Sequence, residues 1–147
     1  MFRPKYHILI QKEDDVSIPD NLSILSSPDA VDIFARSILQ LDSIAEEEVY
    51  LIAVDTKKQV LGISLISHGT VDSSIIQPRE VFQRALLIGA SSIFIIHNHP
   101  SQVAQPSKED IQITKRLKEV GILLGVELLD HVIIGDIYFS FRENNLL

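Results

Sequence analysis

A short apolar run that breaks off on two histidines constrains this chain more than any other feature. Ser92-Ile93-Phe94-Ile95-Ile96 is rich in β-branched residues, which predicts a buried strand. The run stops at His97-Asn98-His99-Pro100. Side chains alternate along a strand, so His97 and His99 are expected on one face, with Asn98 turned away. Two imidazoles so placed are a ready pair of ligands for zinc and similar borderline cations. Ahead of the run, Pro78 and the stripe Val81, Ala85 and Ile88, closed by Gly89, predict a helix. Behind it, Ser107 reads as the cap of a second helix with an apolar stripe at Ile113, Leu117 and Val120. Helix, buried strand and helix in succession indicate an α/β layout.

Asp110 supplies a third candidate ligand. It lies one turn before Ile113, near the same face, where a carboxylate is costly unless it is paired or metal-bound. Two His and one Asp leave the fourth tetrahedral position to water, the open arrangement of catalytic zinc. Simpler readings exist for each part. Ser107 and Asp110 fit a plain capping pair, and His-x-His alone fits a structural strand end. His97-Asn98-His99 also spells the name of a nuclease class, but those enzymes spread their residues over a hairpin and a helix. The whole constellation, His-x-His-Pro-x6-Ser-x-x-Asp, is what favours chemistry.

Elsewhere the chain reads as follows. Residues 1–27 are the least legible; Tyr6–Ile10 suggests a strand, and His7 receives no role. Val31, Phe34, Ile38 and Leu41 keep helical spacing, which predicts a helix over 29–43 behind Ser27-Pro28. Val49–Val54 and Val60–Ser67 read as strands joined by a turn at Asp55–Gln59, and 68–77 as a polar loop containing His68. Gly121 and Gly125 punctuate the chain after the Asp110 helix. Leu128-Leu129 and Val132-Ile133-Ile134 bracket Asp130 and His131, and Tyr138–Phe141 alternates like a last strand. His131 reads most simply as a core histidine satisfied by a nearby carbonyl. Its functional alternative, with Asp130, is support of a loop or a metal ligand.

Composition narrows the classes of function. At 147 residues the chain suits one domain with a real core. No apolar run is long enough to cross a bilayer, and the N-terminus lacks the layout of a signal peptide. With no cysteine there are no disulfides, which fits the cytoplasm. The same absence excludes a Cys-rich zinc knuckle and the His/Cys/Cys deaminase site. A net charge of −7 disfavours nucleic acid as a partner. Lys115, Arg116 and Lys118 read as the solvated side of their helix rather than a phosphate-gripping patch.

The spacing His97-x-His99, then Ser107-x-x-Asp110, resembles that of the JAMM (MPN+) metallopeptidases, and the fuller text resembles their RadC-like JAB branch. Gly69–Ser74 followed by Pro78-Arg79-Glu80-Val81-Phe82, the string His97–Ser101, Leu129–Gly135 and Phe139–Glu143 follow in that branch's order. The likeness spans roughly residues 28–147. It implies one JAB/MPN (cytidine-deaminase-like) domain with a central mixed β-sheet flanked by helices. It further implies zinc held by His97, His99 and Asp110, with Ser107 donating to the oxyanion of a peptide or isopeptide substrate. A Glu near the start of the first strand serves the family as general base, which falls on Glu47; a register slip of one residue hands it to Glu48. Members often carry a helix-hairpin-helix segment upstream, for which a chain of this length is not expected to have room. Three functions follow: a zinc-dependent peptidase or isopeptidase, a factor associated with DNA repair or nucleic acid, and an interaction scaffold without turnover. One departure stands out. The branch commonly has Gly where this chain has Gln102, and if that position needs a positive φ, Gln strains the turn.

Overall fold

The computed structural model describes residue 1, residues 3–5, 11–69 and 76–147. The expected strand at Tyr6–Ile10, His7, and the part of the Gly69–Ser74 segment beyond Gly69 lie outside the described residues.

In chain order the elements are α1 (Pro28–Ser37), β1 (Glu48–Val54), β2 (Val60–His68), α2 (Pro78–Ile88), β3 (Ser92–Asn98), α3 (Lys108–Leu124), β4 (Glu127–Ile134) and β5 (Tyr138–Ser140). The five strands form one sheet in the order β2-β1-β3-β4-β5. Among the described residues only the β3–β4 pair is parallel. The sheet is therefore mixed, and α3 is the crossover its parallel pair requires.

Strand alternation sorts the core into two layers. Ile52, Val54, Phe94, Ile96, Val132 and Ile134 pack with Phe34 and Val31 of α1. On the other face Val49, Leu51, Ile93 and Ile95 pack with Val81, Phe82 and Ala85 of α2 and Leu117 of α3. The result is a single α/β domain, one helix on one side and two on the other.

Several boundaries depart from expectation. α1 stops at Ser37, short of residue 43. Gln40 adopts φ 54°, which breaks the helix, and Leu41 reaches the core from the loop that follows. His68 ends β2, paired with Glu48, instead of lying in the loop. The segment before α1 is ordered against the β1–β2 turn: Leu25 N–H donates to the Lys58 carbonyl, and the Leu25 side chain joins the core. Along α3 the buried positions are Asp110, Thr114, Leu117 and Gly121, with Ile113 and Val120 only partly covered. Gly121 does not interrupt this helix. A Cβ there would sit 2.5 Å from the Val126 carbonyl oxygen, so glycine is what allows α3 to lie against the start of β4. Gly125, at φ 70°, supplies the actual stop.

Candidate metal centre

His97 is the penultimate residue of β3 and, by alternation with Ile93 and Ile95, points to the α2/α3 side of the sheet. His99 follows just beyond the strand end, and its ring turns back toward His97, Nε2 to Nε2 at 3.0 Å. α3 begins above this end of β3, where the carboxyl ends of parallel strands commonly open a crevice. Its first turn brings Asp110, whose Oδ1 lies 3.5 Å from His97 Nε2 and Oδ2 3.4 Å from His99 Nε2.

Asp110 is fixed before any ligand arrives. The Ser107 hydroxyl oxygen accepts from the Asp110 N–H at 3.0 Å, while Asp110 Oδ2 accepts from the Ser107 N–H at 2.8 Å. This is a complete capping box, so the plain structural reading of this pair holds as far as it goes. It leaves Oδ1 turned to His97, with Oδ2 placed between the Ser107 N–H and His99. Ser107 is an exposed residue, and its hydroxyl, having accepted, still has its own proton to donate. Burial alone would raise the Asp110 pKa, but His97, His99 and the Ser107 N–H hold it well below the ordinary carboxylate range.

The antiparallel β1–β3 register decides which glutamate joins. Val49 pairs with His97 and shares its face, so Glu47, two residues earlier, shares it too. Its Oε1 lies 3.8 Å from His97 Nε2 with the side chain 32% exposed. Glu48 points the opposite way and accepts from the Tyr50 hydroxyl at 2.9 Å. That carboxylate, after burial, helps push the Tyr50 phenol up to about 12.

Donor atoms of Glu47, His97 and His99 all lie within 4.8 Å of one another, as a shared cation requires. Two nitrogens bound at about 2.1 Å and tetrahedrally disposed are about 3.4 Å apart. The observed separations of 3.0, 3.4 and 3.5 Å among His97, His99 and Asp110 bracket that figure. The chemistry of the donors agrees. The His99 Nδ1–H donates to the Val103 carbonyl at 2.8 Å, which leaves Nε2 as the electron-pair side of a neutral ring. Burial lowers the His99 pKa, yet Asp110, the Val103 carbonyl and the charge of Glu47 together raise it above 6.5.

His131 contradicts the simplest reading of its residue type. No carbonyl satisfies its ring; Nε2 contacts His97 Nδ1 at 2.7 Å and Nδ1 contacts the Thr114 hydroxyl at 2.6 Å. Phe141 stacks flat on the ring, 4.8 Å between centroids. Burial drives its pKa well below 6.5. Asp130 is further removed. It accepts from Ser140 Oγ and from the His131 and Arg142 N–H groups, tying the C-terminal tail to β4, and burial raises its pKa.

Residues 24–146 match the model of the RadC-like JAB domain. The chain belongs to this family. Its relatives include UPF0758 proteins of Clostridium acetobutylicum, 45% identical over 129 residues, and of Rubrobacter xylanophilus, 40% identical over 124. These alignments cover 87% and 84% of this chain but 55% and 54% of the relatives. A UPF0758 protein of Finegoldia magna is 46% identical over 112 residues, 76% of this chain and 49% of its own length. The chain thus spans about half the length of the curated relatives it matches. Within the RadC-like JAB fold, the cluster of two histidines and a glutamate fits a metal site of the JAMM kind.

Two residues of this site received no role from the sequence. Thr114 is a lone hydroxyl inside a helix, and Asn98 sits on the strand face turned away from the histidines. Yet the Asn98 carboxamide accepts from the Glu48 N–H at 2.8 Å and donates to the Glu46 carbonyl at 2.9 Å. A side chain able both to donate and to accept, at the end of a buried strand, was the available signal. Gln102, for its part, does take φ 66°. Its carbonyl accepts from the Asp136 N–H and lies 2.4 Å from where a Cβ on Gly135 would be.

Proposed function

We propose that this domain is a zinc-dependent hydrolase of amide bonds, a peptidase or isopeptidase. The observation that carries the reading is the convergence of two Nε2 electron pairs on the Asp110 carboxylate, with a second, more exposed carboxylate, Glu47, at the rim.

His97, His99 and Asp110 would hold the metal: all three are fixed from behind, by His131, the Val103 carbonyl and the Ser107 N–H. When bound, zinc supplies a water ionising near pH 7 and polarises a carbonyl. Glu47, whose carboxylate lies at the rim, is free to take a proton there and deliver it to the departing amine. Ser107 holds its hydroxyl at the N-terminus of α3, where the helix dipole and that O–H both favour negative charge on a tetrahedral oxygen. Burial of His97 and Asp110 excludes water from the inner side of the site. This strengthens each of these interactions.

The test is metal content together with turnover. The wild-type chain is expected to bind about one equivalent of zinc, lost in His97→Ala and Asp110→Ala. Glu47→Gln is expected to keep zinc and lose hydrolysis of whichever substrate a peptide and isopeptide library yields. Zinc retained in both ligand variants would remove the site assignment. Unchanged turnover in Glu47→Gln would remove Glu47 as the base.

A further inference from the structure

Thr114 lies one turn along α3 from Asp110, fully buried, and its hydroxyl makes two contacts of 2.6 Å, to the Asp110 carbonyl and to His131 Nδ1. A carbonyl only accepts, so the single hydroxyl proton is committed to Asp110. The Thr114 oxygen must then accept from His131 Nδ1–H. His131 has no exposed surface and its two ring nitrogens contact another imidazole and a hydroxyl, an environment that suits a neutral ring with one N–H to give. Its Nε2 is therefore an acceptor, and the proton on the 2.7 Å contact belongs to His97 Nδ1. His97 Nε2 is left with its electron pair facing His99 and Asp110. The opposite arrangement, with every proton on the other nitrogen, would place an N–H where a metal has to bind. Phe141, stacked on His131, holds the ring in the plane this chain of contacts needs.

We propose that Thr114 is a positioning residue that acts through His131 to fix the tautomer of His97 with Nε2 open to the metal. The inference rests on the metal-site reading above and adds to it a residue that touches neither metal nor substrate. The relay starts at the carbonyl of Asp110 and ends at the ring facing the Asp110 carboxylate. One ligand residue thereby influences the protonation pattern of another through the interior of the domain.

The experiment compares the full chain with Thr114→Val, which keeps the shape and removes the hydroxyl, and Thr114→Ser, which restores it. Zinc affinity is read by chelator competition and the His97 tautomer by nitrogen-15 imidazole spectra of the metal-free protein. Thr114→Val is expected to bind zinc about 10- to 100-fold more weakly, and Thr114→Ser to recover most of the loss. In the wild type the His97 proton is expected on Nδ1. A proton on Nε2 there overturns the proposal without recourse to any variant, whether or not Thr114→Val folds. So does equal zinc affinity in wild type and Thr114→Val. A wild-type chain that takes up no zinc removes the metal reading itself, and this inference with it.

Discussion

Asn98 brackets Glu47. Its carboxamide bonds the Glu48 N–H on one side and the Glu46 carbonyl on the other, and it also donates to the Ile44 carbonyl. The strand that presents His97 on one face thus uses its other face to hold the segment carrying the proposed base. Both halves of the proposed chemistry are set by adjacent residues of β3.

Asn98→Ala is expected to leave zinc content intact and to lower kcat by about 10- to 100-fold, because a displacement of about 1 Å is enough for such a loss. Stability should fall by about 1–3 kcal/mol, as the Glu48 N–H and two carbonyls lose buried partners. Steady-state kinetics and metal analysis on one preparation check both points. An accompanying loss of zinc would mean that Asn98 supports the ligands rather than Glu47.

At the proposed site, proton and metal would compete for His99. Its folded pKa is raised above 6.5, so between 6.5 and that value the folded metal-free protein binds more protons than the unfolded chain, and its stability declines as pH rises. Below 6.5 the His99 contribution is constant, and His131, whose pKa is lowered by burial, works the other way, stability dropping as pH falls. Zinc needs His99 deprotonated, so zinc affinity is expected to rise about tenfold per pH unit up to the His99 pKa and then level off. Melting curves of the metal-free protein should slope downward across this window, and saturating zinc should flatten them.

Gln102→Gly is expected to stabilise the domain. A left-handed non-glycine residue costs about 1–2 kcal/mol, partly offset by the greater freedom of glycine in the unfolded chain, which leaves a net gain of about 0.5–1 kcal/mol. Denaturant midpoints decide the sign. Gly135→Ala, placed against the Gln102 carbonyl, should lower them.

Gly121→Ala opposes two terms. Alanine gains about 1 kcal/mol in helix propensity, yet its Cβ would overlap the Val126 carbonyl, and backbone cannot yield as a side chain does. A net loss of about 1–3 kcal/mol is expected, measured as a shift in melting temperature.

The α/β layout, the strand ending in His97 and the cap at Ser107 were legible because each rests on a local rule of period or capping. Side-chain alternation put His97 on its face, whereas His99 lies past the end of β3 and meets it by the turn of its ring; the β1–β3 register, which only the fold supplies, separated Glu47 from Glu48. What escaped depends on contacts between distant segments. The end of α1 at Ser37 is imposed by the turn at Gln40, against a spacing that would have carried the helix on to Leu41. Gly121 looked like a break because glycine punctuates many helices; here it answers to the start of β4. Thr114 and His131 read as ordinary until β4 aligns beside β3, with His131 opposite Ile95, two residues before the partner of His97.

The capping box at the head of α3 has one more implication. Asp110 Oδ2 receives the Ser107 N–H and also lies toward His99, while Oδ1 faces His97. Any cation drawing electron density from that carboxylate must loosen the amide bonded to Oδ2. The backbone signal of Ser107 is therefore a built-in gauge of occupancy, readable by a spectroscopist before a substrate is known.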